Sequence, residues 1–270
     1  MSQLRQKMLA EDIRNRLSAS AHMQIGDIDV VERLASTQNL LLSRASSSCW
    51  QLLVAVDQTA GVGRQLRFWQ SGHGQVAFSI RGWVEEQASS IGLLSLLASL
   101  CVHDVLRSLG LTQVMLKWPN DVLIEYKKIS GILISVSGSR QNKFDIVLGI
   151  GLNRLRLSEQ VSGDGIGVVS LSDRLSSPPS QPELIASLLN AWFARLPLIA
   201  SEQGRKSLVN EWQSYALWLN ELVIVTLADR QIEGRFQGVA LDGRLRLLTA
   251  SGEQLFSVGE VRLRPLGQIN

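Results

Sequence analysis

Apolar residues recur along the chain with two periods, and the changes between them mark its elements. Leu4, Met8, Leu9, Ile13 and Leu17 fall at helical spacing, and Ser18-Ala19-Ser20 ends the run, which predicts one short amphipathic helix over residues 3 to about 17, docked on the protein's own core. From Asp27 onward short apolar strands alternate with helical segments. Ile28 to Leu34 reads as a strand, Thr37 to Ser43 as a helix capped by Ser36, Trp50 to Val56 as a buried strand and Gln75 to Val84 as another. Ile91 to Leu109 carries Leu93, Leu94, Leu97, Leu100, Val105 and Leu109 and is the long helix of this half. Val114 to Lys117, Asp121 to Glu125, Lys128 to Ser137 and Phe144 to Ile150 then follow as strands joined by tight turns. Strands with short connections pair antiparallel, so the expected fold class is α+β, with a mixed, largely antiparallel sheet.

After a polar, glycine-rich stretch at 158–167, the Pro178-Pro179 and Pro182 cluster opens a helix through Leu196, and a second runs from Arg205 to about Tyr215. The texture changes at Leu219. Leu222 to Leu227, Gln231 to Val239, Arg244 to Thr249, Gln254 to Phe256 and Val261 to Leu263 are short strands separated by turn signals such as Asp242-Gly243 and Ser251-Gly252, a density that predicts a small β-barrel. The expected units are a helical extension at 1–24, a principal domain at 25–217 and a small β-domain at 218–270.

Composition narrows the classes without choosing among them. With 270 residues, 45% of them hydrophobic and 19% charged, the chain is globular rather than disordered. Its net charge of +3 falls short of the basic face a nucleic-acid binder carries. Cys49 and Cys101 have no Cys or His at ligand spacing and read as buried small apolar residues. No run reaches the roughly 18 apolar residues of a membrane span, and charges interrupt the N-terminus where a signal peptide is apolar, so the expected compartment is the cytoplasm, with no membrane partner. His22 lies in a linker, His73 in a glycine loop and His103 in the long helix; none is assigned to catalysis.

The candidate chemistry lies at strand ends. Asp57 to Arg64 places Gly61-Val62-Gly63-Arg64 after a strand, and the loop continues through Arg67, Trp69 and Ser71-Gly72-His73-Gly74, which reads as a mobile cover over a charged planar ligand. Lys117-Trp118-Pro119-Asn120-Asp121 lies between two strands, with Pro119 expected to break their pairing; Lys117 suits a phosphate and Asp121 a Mg²⁺ ion or the orientation of a neighbour. A Pro-Asn-Asp turn with a surface salt bridge is the plainer reading, and it leaves Lys117 and Trp118 unexplained. Lys128 opens a strand in which Gly131 marks close approach of a ligand or a backbone, and Gly149-Ile150-Gly151-Leu152-Asn153 ends the next strand in the same way. Arg64, Lys117 and Lys128 together describe an anion site.

These segments, in this order, resemble the biotin protein ligase family over nearly the whole chain: Ser36-Thr37 before a helix, Gln58-Thr59-Ala60-Gly61 with Gly63-Arg64, Trp69, Lys117 to Asp121, Lys128 to Leu133, Gly149 to Asn153, and Val258-Gly259-Glu260-Val261 near the end. Lys-Trp-Pro-Asn-Asp is the most specific of them. The resemblance implies a ligase fold like that of class II aminoacyl-tRNA synthetases with an SH3-like C-terminal barrel, and an enzyme that makes biotinyl-5′-adenylate from biotin and ATP with Mg²⁺. Biotin then passes to a lysine of a biotin carboxyl carrier protein. By that resemblance Ser36, Thr37, Gln38 and Gln58 meet biotin, and Gly61, Val62, Gly63 and Arg64 close over it beside Gly131. Lys128, Arg64 and Lys117 are the catalytic cations, Trp69, Lys117, Asn120 and Asn153 fix the nucleotide, and Asp121 is the Mg²⁺-side carboxylate. The expected assembly is a monomer or homodimer. About 25 residues precede the first strand, too few for the DNA-binding winged helix of some members, so no nucleic-acid partner is expected.

The chain departs from the family pattern where Val62 stands for an arginine, Leu66 for a glycine and Gln38 for an asparagine, and where residues 160–169 hold no aromatic. Arg64, Lys117 and Lys128 are all present, which favours an active enzyme. A non-catalytic biotin-binding paralogue and a lipoate or octanoyl ligase of related fold are the alternatives.

Overall fold

The computed structural model describes residues 2–85, 91–156, 166–227, 229–257 and 262–266. One mixed sheet organises most of them. Its strands are β1 (Ile25–Leu34), β2 (Trp50–Gln58), β3 (Val76–Glu85), β4 (Val114–Lys117), β5 (Asp121–Ile124), β6 (Lys127–Arg140) and β7 (Lys143–Leu152), in the order β1-β2-β3-β7-β6-β5-β4. Only β1 and β2 run parallel; every other neighbouring pair is antiparallel, as the short connections require.

The period of two along each strand divides its side chains between two faces. On β2, Leu52 and Val54 join the main core while Leu53 turns to the other side. The main core lies under α4 (Ile91–Ser108), α5 (Gln181–Arg195) and α6 (Glu202–Ser214). On the opposite face α3 (Thr37–Ser43) covers Leu53 and Val147 with Leu41. Its start is fixed locally, since Ser36 Oγ accepts the Asn39 amide. Its end is held by Arg81, which donates to the carbonyls of Leu41 (2.7 Å) and Arg44 (2.5 Å) while its other nitrogens meet Asp145 on β7, both side chains being buried.

The N-terminal stripe forms α1 (Gln3–Asn15), but only its C-terminal half docks on β1 and α5: Ile13 is buried and Leu9 and Leu17 are partly covered, while Leu4 and Met8 face solvent. Ser18 does not simply end the helical pattern. It caps α2 (Ala19–Gln24), so His22 sits on a short helix rather than in a linker. Cys101 is buried in α4 as expected, whereas Cys49 is exposed, because it lies in the bend before β2 and not in the strand. The stretch Gln181–Ala200 is long and apolar enough in its mean hydropathy to cross a membrane, although polar residues interrupt it; here Leu184, Ile185, Leu188, Leu189, Trp192 and Phe193 turn its apolar face into the core.

The C-terminal strands β8 (Leu222–Thr226), β9 (Gln231–Val239), β10 (Leu245–Thr249), β11 (Gly252–Phe256) and β12 (Arg262–Pro265) form an antiparallel sheet in the order β11-β10-β9-β8-β12. Among the described residues no ladder joins β11 to β12. Residues 258–261, including the Val258-Gly259-Glu260-Val261 motif, lie outside the described residues. This sheet packs closely on the larger unit. The turn at Gly243, with φ of 80°, comes so near the start of α4 that a β-carbon there would stand 2.4 Å from the carbonyl carbon of Gly92.

Candidate active site

A cavity of about 460 Å³ opens where α3, the 61–70 loop, the β4–β5 hairpin and the ends of β6 and β7 meet. At one end the first turn of α3 and strands β2 and β3 bring buried polar groups together. Gln58 Oε1 accepts the Thr37 amide at 2.8 Å and lies 3.1 Å from Thr37 Oγ1, which is 2.8 Å from Ser79 Oγ. Ser79 Oγ donates to Gln38 Oε1 at 3.1 Å, and Gln38 Nε2 donates to the Val147 carbonyl at 2.9 Å and to Ser135 Oγ at 3.0 Å. Gly149 leaves the room that the Gln38 amide occupies, since a β-carbon there would be 2.6 Å from Gln38 Oε1. Cross-linked polar groups inside a low-dielectric wall keep fixed orientations, so they can discriminate a ligand by hydrogen-bond pattern.

The other end is cationic. Lys117 and Asp121 are register partners at the tip of β4–β5 and both line the cavity. The Pro119 turn does not break this pairing as expected; Trp118 to Asn120, with a cis Trp118–Pro119 peptide, form the connection of the hairpin itself. Lys128 Nζ stands 2.5 Å from Asp121 Oδ1, a close ion pair whose angle makes no directional hydrogen bond to that oxygen. Asn120 donates to the Ile132 carbonyl at 2.8 Å and accepts Arg64 Nη1 at 3.1 Å, which ties the loop arginine to the hairpin. Burial draws the Arg64 guanidinium down to about 10, with Asp121 opposing and Arg67 adding to the shift, so it remains cationic at neutral pH. Arg64, Arg67, Lys117, Lys128 and Arg264 line the cavity, and among the described residues Asp121 is the one carboxylate that faces them.

The glycine loop has a regular internal structure of its own. Val62 bridges Phe68, Gly63 N donates to the Arg67 carbonyl at 2.7 Å and Trp69 N to the Gly61 carbonyl at 2.8 Å, which makes a small hairpin around a 3-10 turn at Arg64–Leu66. Val62, where the family pattern has an arginine, is thus a rung of that hairpin. Trp69 then folds inward over the strand glycines. A β-carbon on Gly151 would lie 2.3 Å from its Cε2 and one on Gly131 would lie 2.9 Å from its Cζ3. The Trp69 indole thus packs against these glycines within the cavity wall, with Lys128 Nζ 5.5 Å from a ring centroid. Gly61 is the one candidate residue that does not line the cavity; it lies beneath the Trp69 carbonyl.

The remaining candidates, Ser36, Thr37, Gln38, Gln58, Val62, Gly63, Arg64, Trp69, Lys117, Asn120, Asp121, Lys128, Gly131 and Asn153, share that one cavity. Asn153 uses its amide nitrogen on the carbonyls of Lys128 (3.3 Å) and Val169 (3.2 Å), so it fixes the strand end that carries Lys128. Trp118 is buried, and its Nε1 donates to the Gly243 carbonyl at 3.1 Å in the C-terminal sheet. The sequence pattern did not single out Ser79, Arg264 or Phe68. Phe68, 65% exposed where it lines the cavity, stands beside Trp69 as a second loop aromatic. His103 is buried and stacks on Tyr215 with centroids 3.8 Å apart, which fits a structural role. Of residues 160–169, the segment that departs from the family pattern by holding no aromatic, 160–165 lie outside the described residues. Among the described residues no cluster of three or more His, Cys, Asp or Glu side chains is arranged to hold a metal ion.

Comparison with known proteins places the chain and its fold in a family. Residues 30–153 match the sequence model of the biotin/lipoate A/B protein ligase family, and residues 219–264 match that of the biotin protein ligase C-terminal domain. The bifunctional ligase/repressor BirA of Escherichia coli is 30% identical over 88% of this chain and 74% of its own length. The biotin--[acetyl-CoA-carboxylase] ligase of Mycobacterium tuberculosis is 32% identical over 87% of this chain and 88% of its own. The biotin protein ligase of Aquifex aeolicus, solved with biotin and ATP, superposes with a TM-score of 0.74 at 26% identity, covering 88% of this chain and 99% of that one. Fold and site define a ligase of the biotin and lipoate class. Within that class, the chain belongs to the biotin protein ligase family.

Proposed function

We propose that the chain activates biotin with ATP and transfers it to a lysine of a biotin carboxyl carrier domain. The observation that carries this reading is a single cavity in which the cross-linked polar groups of Thr37, Gln38, Gln58 and Ser79 face Arg64, Lys117 and the Lys128–Asp121 pair. In the first half-reaction a carboxylate oxygen of biotin attacks the α-phosphorus of ATP, the bond from that phosphorus to the bridging oxygen breaks, and pyrophosphate leaves. In the second, a neutral lysine amine attacks the acyl carbon of biotinyl-5′-adenylate, AMP leaves with the electron pair of the broken C–O bond, and the amine nitrogen gives up a proton to solvent as the amide forms.

In this scheme Ser36, Thr37, Gln38 and Gln58 bind the ureido ring, and the Gly61–Arg64 segment shields the mixed anhydride from water beside Gly131. Lys128 holds the attacking carboxylate, exchanging Asp121 for it, and Lys117 offsets charge growing at the α-phosphate. Asn120, Asn153 and Trp69 shape the nucleotide side. Magnesium would enter on the triphosphate and neutralise part of its charge, and among the described residues Asp121 is the cavity carboxylate that could meet it. We take 25–217 as the catalytic unit, related to class II aminoacyl-tRNA synthetases, 218–270 as an SH3-like domain and 1–24 as an extension.

Incubation with biotin, ATP and a carrier domain tests the reading. Wild type is expected to biotinylate the carrier, and Lys128→Ala to lose on the order of 10²–10³ in rate with its fold preserved. Near-normal turnover in that variant would sink the assignment. Biotin binding without biotin-dependent pyrophosphate exchange in the wild type would leave a binding protein instead.

A further inference from the structure

The cationic end of the cavity is tied to the C-terminal sheet through two adjacent residues. Trp118 Nε1 donates to the Gly243 carbonyl, and Lys117 Nζ lies over the ring of Trp218, 5.7 Å from a centroid. Trp218 belongs to the connection between α6 and β8, which is fastened on both sides. Toward the hairpin, Leu116 N donates to the Tyr215 carbonyl and Leu217 N to the Leu116 carbonyl, so that 215–217 runs as an added rung beside β4. Toward the C-terminal sheet, Asn220 N donates to the Phe236 carbonyl and Phe236 N to the Glu221 carbonyl. Trp218 itself holds φ of 65°, a conformation that bulky residues rarely adopt and keep only where the surroundings impose it.

We propose that Trp218 is a positioning residue that holds the Lys117 ammonium at the phosphate end of the cavity, so that docking of the C-terminal sheet and placement of Lys117 are a single event. An indole face attracts an ammonium through its quadrupole, which favours the position that Lys117 holds at the cavity over others open to a long side chain. The inference rests on the proposed ATP-dependent activation of biotin.

The test compares wild type, Trp218→Leu, Trp218→Phe, Lys117→Ala and Lys117→Ala/Trp218→Leu as full chains, in biotin-dependent ATP–pyrophosphate exchange. Calorimetric binding of biotin alone reports whether the polar end of the cavity is intact. Trp218→Leu is expected to lose about tenfold in kcat/KM for ATP, Trp218→Phe to fall between it and wild type, and biotin affinity to change less than about twofold. In the Lys117→Ala background the leucine substitution is expected to add nothing, because the contact is already gone. Unchanged ATP kinetics in Trp218→Leu, or a loss of equal size without Lys117, overturns the inference. If Trp218→Leu also loses biotin binding, the phenylalanine variant decides, and wild-type kcat/KM for ATP in it is the overturning result. A wild type that binds biotin but supports no exchange overturns the functional reading instead, and calorimetric ATP affinity in the same five chains then decides the role of Trp218.

Discussion

Trp69 and Gly151 share one space: the indole lies where any side chain at 151 would have to go, with 2.3 Å between its Cε2 and a β-carbon built on the glycine. Gly151→Ala must therefore displace the indole, which also stands over Gly131 and beside Lys128. Overpacking of this kind costs about 1–3 kcal/mol. Biotinylation is expected to fall at least about tenfold in Gly151→Ala, while in a Trp69→Ala background the same substitution changes little. An equal penalty in both backgrounds would show that the two residues do not compete.

Asn120 anchors Arg64 to the β4–β5 hairpin through its side-chain oxygen and grips Ile132 with its nitrogen. Hydrogen bonds to charged groups contribute about 1.5–3 kcal/mol. Asn120→Ala is expected to slow adenylate formation by roughly 10- to 100-fold. Single-turnover measurement checks this, and a defect confined to transfer onto the carrier would contradict it.

Arg81 and Asp145 are buried together, and Arg81 also closes the end of α3. Removing one partner of a buried pair typically costs about 3–5 kcal/mol, because the other charge is left uncompensated. Urea unfolding of Arg81→Met should show a loss of this size, and Arg81→Met/Asp145→Leu should recover part of it. A loss below about 1 kcal/mol in the single variant would place the pair at surface strength.

The two cysteines should behave oppositely toward a thiol reagent. Cys49 is exposed, and burial pushes the Cys101 thiol well above its ordinary range. One thiol is expected to react in the native protein and the second only on unfolding, with Cys49→Ser abolishing the native signal.

Asp104 gives the acid side of stability a defined contributor. Burial alone raises its carboxyl, but hydrogen bonds from His103 and Arg195, together with their charges, more than offset this and hold it below the ordinary value. A lowered folded-state pKa contributes stability that is complete above the unfolded value of about 3.9 and is lost as pH falls through the folded one. The stability difference between wild type and Asp104→Asn, from urea melts, should be constant near neutrality and shrink below about pH 4. A difference that grows on acidification would reverse the sign and refute this account.

What the sequence disclosed depended on how local the cause was. Helix α3 is predicted over Thr37 to Ser43 and observed there, since its cap and its apolar spacing lie within the same few residues. The β6–β7 ladder follows from two apolar runs around a short turn. That Trp69 packs against Gly131 and Gly151 was not legible, because it arrives from a loop 62 and 82 residues earlier and the spacing of glycines says only that something comes close. Pro119 was misjudged for a related reason: a proline between two strands reads as an interruption until the register Lys117 to Asp121 shows it to be the turn. Arg264 gave no signal at all, being brought to the cavity by the docking of a second sheet.

That docking has a further consequence for how the molecule meets copies of itself. An open strand edge is a template on which another chain can build. Strand β4 is the outermost of its sheet, yet its Leu116 peptide already gives its N–H to Tyr215 and takes one from Leu217. The segment that joins the two units thus also seals the β4 edge of the sheet. A chain whose linker came loose would expose a ready seed for aggregation at the strand that ends in Lys117.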